Sequence, residues 1–253
     1  MSAANRPRRG SFHELGPLQP PGFSPRRIRI YLPDDGAAEH PALVLFDGQN
    51  VFADPNAPRG GWGVDTAVDG LDLRRSIAPM IVAVPHDPNA RQDELTPWPI
   101  DGHGGGAWRM IDWVADAVLP AVRARFAMPS GALGAVLGGA SWGGLCALVG
   151  HHARPDAFGG ALCLSPAAWV GEFAVFDWLA RHHKPTFSRI YLDCGAHEAE
   201  GRMLPPAAEL AKRLAARGYE RKQLRWVADP HGEHTEADWR RRLPRALRFM
   251  FRR

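Results

Sequence analysis

Cysteine is scarce in this chain, with three among 253 residues. The number is odd, and Cys146, Cys163 and Cys194 each fall inside an apolar segment. A disulfide framework is therefore excluded, and the three read as reduced packing residues. Long hydrophobic runs are missing too. No stretch approaches the roughly twenty apolar residues of a membrane span, and the first residues contain no apolar core of the signal-peptide kind. A cytoplasmic protein with no membrane partner is expected. The formal net charge is +4, drawn largely from arginines near the N-terminus and between Arg240 and Arg253. No aromatic-interleaved basic groove or nucleic-acid motif accompanies it, so a solvated helix face is expected and a nucleic-acid partner is not. Attraction of an anionic substrate is the functional alternative. The pairs His151-His152 and His182-His183 are adjacent, so on helices their rings diverge and make poor joint ligands. Neither a metal nor an organic cofactor is expected.

Hydrophobic residues make up 45% of the chain, enough at this length for one sizeable core. Strand-like runs occur at 28–32, 42–46, 80–84, 133–137, 160–164, 190–194 and 224–228. From the second onward they alternate with longer segments of helical character at 108–126, 142–151, 172–181, 207–217 and 237–251. That alternation predicts a single α/β domain over residues 25–253, with a mostly parallel sheet and helices on both faces. Residues 1–24, rich in proline, arginine and glycine, read as a partly flexible arm.

Gly139-Ala140-Ser141-Trp142-Gly143 follows an apolar run and precedes a helical segment. A nucleophile elbow requires that context: a tight strand-to-helix turn strains the serine and exposes its hydroxyl. The Trp142 amide, at the start of the helix, is free to donate to an oxyanion. In chains of this kind an acid and then a histidine follow, each in a loop after a later strand. The run Arg189–Gly195 is followed by Ala196-His197-Glu198, and Glu198 is the preferred acid, with Asp193 inside the run as the alternative. The run Gln223–Ala228 is followed by Gly232-Glu233-His234. His234 is the preferred general base, with His231 as its competitor, because Gly232 permits a sharp approach to the elbow.

Four blocks in order, Leu43–Asn50, Arg91–Pro97, Gly138–Gly144 and Gly232–His234 followed by Trp239, resemble the esterase D, enterochelin-esterase-like branch of the α/β-hydrolases. The resemblance implies an α/β-hydrolase fold. It also implies that the strand over 42–46 ends in an oxyanion loop, with amides near Gly48 and Gln49 joining that of Trp142. Gly48, Asn50 and Arg91 would then stand beside a small-molecule ester substrate, with Arg91 and Glu94 shaping their loop and residues 98–106 forming a mobile flank. Trp142, Trp62 and Trp169 are candidates for an aromatic wall. The activity implied is hydrolysis of a carboxylic ester through an acyl-enzyme, on a short-chain acyl ester or a siderophore ester. Acyl transfer by the same residues, or a non-catalytic binding role on a hydrolase scaffold, are the alternatives.

Overall fold

The computed structural model describes residues 10–54, 57 and 60–253. In chain order the elements are β1 (Gly10–Leu18), β2 (Arg26–Pro33), β3 (Ala42–Phe46), α1 (Val64–Asp69), β4 (Met80–Val84), α2 (Arg91–Leu95), β5 (Pro99–Ile100) and β6 (His103–Gly104). They continue with α3 (Ala107–Trp113), α4 (Leu119–Arg123), β7 (Ala135–Ala140), α5 (Trp142–Ala153), β8 (Gly160–Leu164) and α6 (Val170–Arg181). The last four are β9 (Arg189–Gly195), α7 (Leu204–Ala216), β10 (Leu224–Asp229) and α8 (Glu236–Met250).

Eight strands form one sheet in the order β1-β2-β4-β3-β7-β8-β9-β10. The pairs β1/β2 and β2/β4 are antiparallel, and every pair from β4 to β10 is parallel. Period-two alternation explains the near-continuous apolar runs, because both sheet faces are covered. In β3, Ala42, Val44 and Phe46 pack into one layer, while Leu43 and Leu45 pack into the other. The first layer receives residues of α3, α4, α5, α6 and α7, and the second receives α1 and α8. In the parallel region all the carboxyl ends of the strands lie along one edge, the usual place for a site in open α/β sheets.

Several local expectations need correction. Gly10–Leu18, read from composition as part of an arm, is the edge strand β1. It pairs with β2 from Gly10 opposite Pro33 to Leu18 opposite Arg26, and Pro17 falls where the register shifts, a place an edge strand tolerates proline. Phe12 anchors it, with its ring 5.1 Å from Tyr31 and 5.0 Å from Phe52. Residues 1–9 of the expected arm lie outside the described residues. The single helix expected over 108–126 is instead α3, a π turn at Val114–Val118, and α4. Pro120 has no N–H and its ring crowds the carbonyl of Asp116, so the helix widens there. Residues 98–106 contain the β5/β6 hairpin, with Trp98 packed edge-on against Trp108. Among the described residues no helix is long and apolar enough to cross a membrane.

In the last turn of α5, His151 and His152 form a buried polar cluster. His151 contacts the Phe158 carbonyl through Nδ1 at 2.9 Å and Ser188 Oγ through Nε2 at 2.5 Å. Ser188 Oγ also lies 3.1 Å from the Tyr219 hydroxyl, which lies 3.0 Å from His152 Nε2. Burial drives both imidazoles down, to about 3 for His151 and about 4 for His152. Their folded pKa values lie below the unfolded value, so the stability they contribute is complete above pH 6.5 and is lost as pH falls. Asp193, pushed up to about 7 chiefly by burial, works in the opposite sense but is one group against two. The unfolding free energy should therefore be about 2 kcal/mol lower at pH 5 than at pH 7. Urea denaturation at the two pH values measures this, and an unfolding free energy at pH 5 equal to or above that at pH 7 would count against neutral buried histidines.

Candidate active site

Ser141 links β7 to α5 with φ 57° and ψ −121°, a conformation that costs a non-glycine residue of order 1–3 kcal/mol. Backbone bonds hold it there. Its N–H donates to the Leu164 carbonyl at 3.0 Å, and its carbonyl accepts from Leu145 and Ala167, each at 3.1 Å. A Cβ on Gly139 would lie 2.5 Å from the Gly143 carbonyl carbon, so the strand and the helix can meet this closely only with glycine at 139. Trp142 is the first residue of α5, and its N–H therefore has no intrahelical partner.

The loop after β3 supplies a second set of amides. Asp47 adopts a left-handed conformation, φ 58°, and opens a 3-10 turn over Gly48–Asn50. The first bond of that turn runs from Asn50 N–H to the Asp47 carbonyl at 2.9 Å, which leaves the Gly48 and Gln49 amides ahead of it. Gly48 is buried against the backbone of β4 and Pro85. The side-chain oxygens Gln49 Oε1 and Asn50 Oδ1 are buried without a hydrogen-bond partner among the described residues. Arg91 ties the two halves together. Its Nε and Nη2 donate to Asp47 Oδ1 and Oδ2 at 2.7 and 2.8 Å, while its guanidinium lies 4.9 Å from the centre of the Trp142 ring. Arg91 opens α2, a helical turn where the sequence suggests a loop, and it does not pair with Glu94. Glu94 is fully buried and takes a two-bond fork from Arg26 at 2.6 and 2.7 Å, fastening α2 to β2 instead.

On the far side, Glu198 and His234 meet. His234 Nδ1 lies 2.8 Å from Glu198 Oε2. A carboxylate only accepts, so Nδ1 carries a proton and donates it to Glu198. The acid loop and the histidine loop touch at two glycines, since a Cβ on Gly195 would stand 2.3 Å from the Gly232 carbonyl oxygen. Glu198 Oε1 accepts from Ser165 Oγ at 2.6 Å, the Gly195 amide at 2.7 Å and Arg242 Nη2 at 3.0 Å. Burial pushes the Glu198 carboxyl up, but the bonds from His234 and Ser165 and the Arg242 charge outweigh it and hold the group below its ordinary value. Asp193 does not face His234. Its Oδ1 lies 3.2 Å from Arg242 Nη1, and its Oδ2 accepts from the Tyr191 hydroxyl at 3.4 Å. His231 is exposed, and its amide bonds Asp229 Oδ1.

Comparison with known proteins matches residues 24–250 to the family described as Putative esterase. The chain belongs to the Putative esterase family. It is 31% identical over 231 residues to the iron(III) salmochelin esterase of Escherichia coli O6:H1, covering 85% of this chain and 52% of that protein. The chain thus spans about half the length of that curated relative. Among solved structures, the BES protein from Bacillus cereus superposes with a TM-score of 0.73 at 19% identity, covering 96% of this chain and 95% of that one. The siderophore hydrolase EstA from Aspergillus nidulans gives a TM-score of 0.68 at 17% identity, covering 97% and 94%. The fold is the α/β-hydrolase fold in a single domain.

Within this esterase-family chain, the three tryptophans proposed as an aromatic wall separate. Trp169 is exposed, Trp142 is half-buried beneath Arg91, and Trp62 is buried edge-on against Trp239, 5.7 Å between ring centres. Trp62 is therefore a core residue. Arg242 is the larger correction: it belongs to the arginine-rich segment read as a solvated face, yet it is fully buried. Its partners are the two carboxylates and Ser165. A signal for it existed in the sequence, since Arg242 follows Trp239 by three residues and shares the inward stripe of α8 with Leu243 and Ala246. Ser165 had only its place after a parallel strand to mark it.

The Arg91 fork makes a stability prediction. Asp47→Asn leaves the half-buried guanidinium without its counter-charge and should lower the unfolding free energy by about 1–3 kcal/mol. Urea titration at pH 7 tests it, and an unchanged midpoint with an unchanged slope would remove the bracing role.

Proposed function

We propose that this chain hydrolyses a carboxylic ester by two-step acyl transfer, with Ser141 as nucleophile, His234 as general base and Glu198 as the acid that orients the imidazole. The proposal rests above all on the 2.8 Å bond between His234 Nδ1 and Glu198, made along the same sheet edge that carries the strained Ser141. Nε2 of His234 takes the Ser141 hydroxyl proton as Oγ bonds the ester carbonyl carbon. The carbonyl oxygen becomes an oxyanion, and the Gln49 and Trp142 amides donate to it. His234 then returns the proton to the leaving alcohol as the carbon–oxygen bond breaks. Water repeats the sequence on the acyl-enzyme and releases the acid.

The substrate class proposed is a small-molecule ester, either a short-chain acyl ester or a siderophore ester, the latter supported by the names of the salmochelin esterase and the siderophore hydrolase that the chain resembles. Gly48, Asn50 and Arg91 would border it, with Trp142 and Trp169 as its aromatic side. Buried free thiols at Cys146, Cys163 and Cys194 fit a reducing, cytoplasmic setting.

The test is hydrolysis of p-nitrophenyl esters from acetate to octanoate, together with a trilactone siderophore, by the native chain and by Ser141→Ala, His234→Ala and Glu198→Ala. Loss of at least about a thousandfold in turnover for the serine and histidine variants is expected. Serine-independent turnover, or none on any substrate together with no labelling by a fluorophosphonate, would overturn the proposal.

A further inference from the structure

Ser165 follows β8 directly, is fully buried, and adopts a left-handed conformation, φ 47°. Its hydroxyl is surrounded by groups whose hydrogen-bonding roles are fixed. Trp239 Nε1 and Arg242 Nη2 each lie 3.0 Å from Ser165 Oγ. An indole N–H and a guanidinium only donate, so between them they occupy both lone pairs of the hydroxyl. The single remaining hydroxyl proton has one place to go, Glu198 Oε1 at 2.6 Å. That oxygen also receives Gly195 N–H and Arg242 Nη2, so the carboxylate accepts three donors on Oε1 and His234 on Oε2. Oε1 is thereby saturated, and Oε2 carries His234. Rotation of the carboxylate would break the three bonds on Oε1 together with the one to His234.

We propose that Ser165, oriented by Trp239 and Arg242, is a positioning residue that commits Glu198 Oε2 to His234 and thereby holds the imidazole in the Nδ1–H tautomer with Nε2 toward the nucleophile. This rests on the proposed roles of Glu198 and His234 and adds the device that enforces them. Arg242 is itself anchored from behind, with Nη1 3.2 Å from Asp193 Oδ1, while the Ser165 amide donates to the Asp193 carbonyl at 2.9 Å. The charged and titratable groups around the His234–Glu198 pair include Arg242 from α8, Asp193 and the Cys194 thiol from β9, and Tyr191 against Asp193. Trp239, on α8, contributes an indole edge-on to His234 at 4.9 Å between ring centres. Ser165 lies behind the acid and is buried, so it acts through Glu198 and not on substrate.

The test compares Ser165→Ala, Trp239→Phe and Glu198→Gln with the native chain, each first shown to be folded by its thermal transition. Ser165→Ala is expected to lower kcat by about ten- to a hundredfold with KM within about twofold, because the loss concerns the transition state. The far-downfield proton NMR resonance of His234 Nδ1–H should broaden or move upfield in Ser165→Ala. Trp239→Phe, which removes one donor from Ser165 and keeps a ring, should give the same change in smaller degree. If Glu198→Gln keeps native kcat, the role of Glu198 falls and this inference falls with it. If Glu198→Gln loses turnover while Ser165→Ala keeps both native kcat and the native resonance, the positioning role of Ser165 alone is overturned.

Discussion

A single guanidinium, that of Arg242, stands between two fully buried carboxylates, 3.0 Å from Glu198 Oε1 and 3.2 Å from Asp193 Oδ1. Burying three ionisable groups is costly, and such a cluster persists only where hydrogen bonds fill the remaining valences. Glu198 has those bonds and is held ionised. Asp193 has fewer, and its carboxyl is pushed up to about 7, chiefly by burial. One positive charge thus sustains one carboxylate firmly and the other weakly, and the firmly ionised one is bonded to His234. Because Arg242 belongs to α8, the helix that follows the histidine loop, the element that carries the cation behind Glu198 also follows directly on the residue bonded to it.

The remaining geometry follows from strain stored at strand ends. Asp47, Ser141 and Ser165 come immediately after β3, β7 and β8, and all three are non-glycine residues with φ between 47° and 58°. Each turns the chain sharply where a parallel strand stops, and for Ser141 and Ser165 a backbone bond to the neighbouring strand keeps it there. The Ser141 amide bonds Leu164, and the Ser165 amide bonds Asp193, so each turn leans on the next strand across the sheet. Strain of this kind survives only where surrounding structure over-determines it, and it gathers where side chains must be aimed. Here it aims the turn over Gly48–Asn50, the candidate nucleophile Ser141 and, behind Glu198, Ser165.

The short helix α2 shows the same economy at the other end of the site. Arg91 reaches forward to Asp47 and across the face of Trp142, while Glu94, three residues later, reaches back to Arg26 on β2. The helix is clamped at both ends by two-bond forks whose partners lie 44 and 68 residues away in the chain. Such geometry resists rotation better than two separate contacts would. It makes the relative position of the Gln49 and Trp142 amides a property of the sheet rather than of a loop.

The sequence by itself determined the layers and their order. Strand runs at 42–46, 80–84 and 160–164 coincide with β3, β4 and β8 because buried parallel strands are written as continuous apolar segments with turn residues at their ends. Gly139-x-Ser141-x-Gly143 marked the elbow for a local reason: the close backbone contact and the strained serine both arise within a few residues. Tertiary structure decided what depends on distant partners. Which carboxylate touches His234, why Arg242 turns inward from an arginine-rich segment, and where Glu94 finds its cation each turn on contacts at least 36 residues apart. β1 escaped notice for a related reason, since a half-exposed edge strand gets its stability from pairing with β2 and not from an apolar run of its own. Local pattern records which residues prefer to be buried; only the packed sheet decides which buried charges meet.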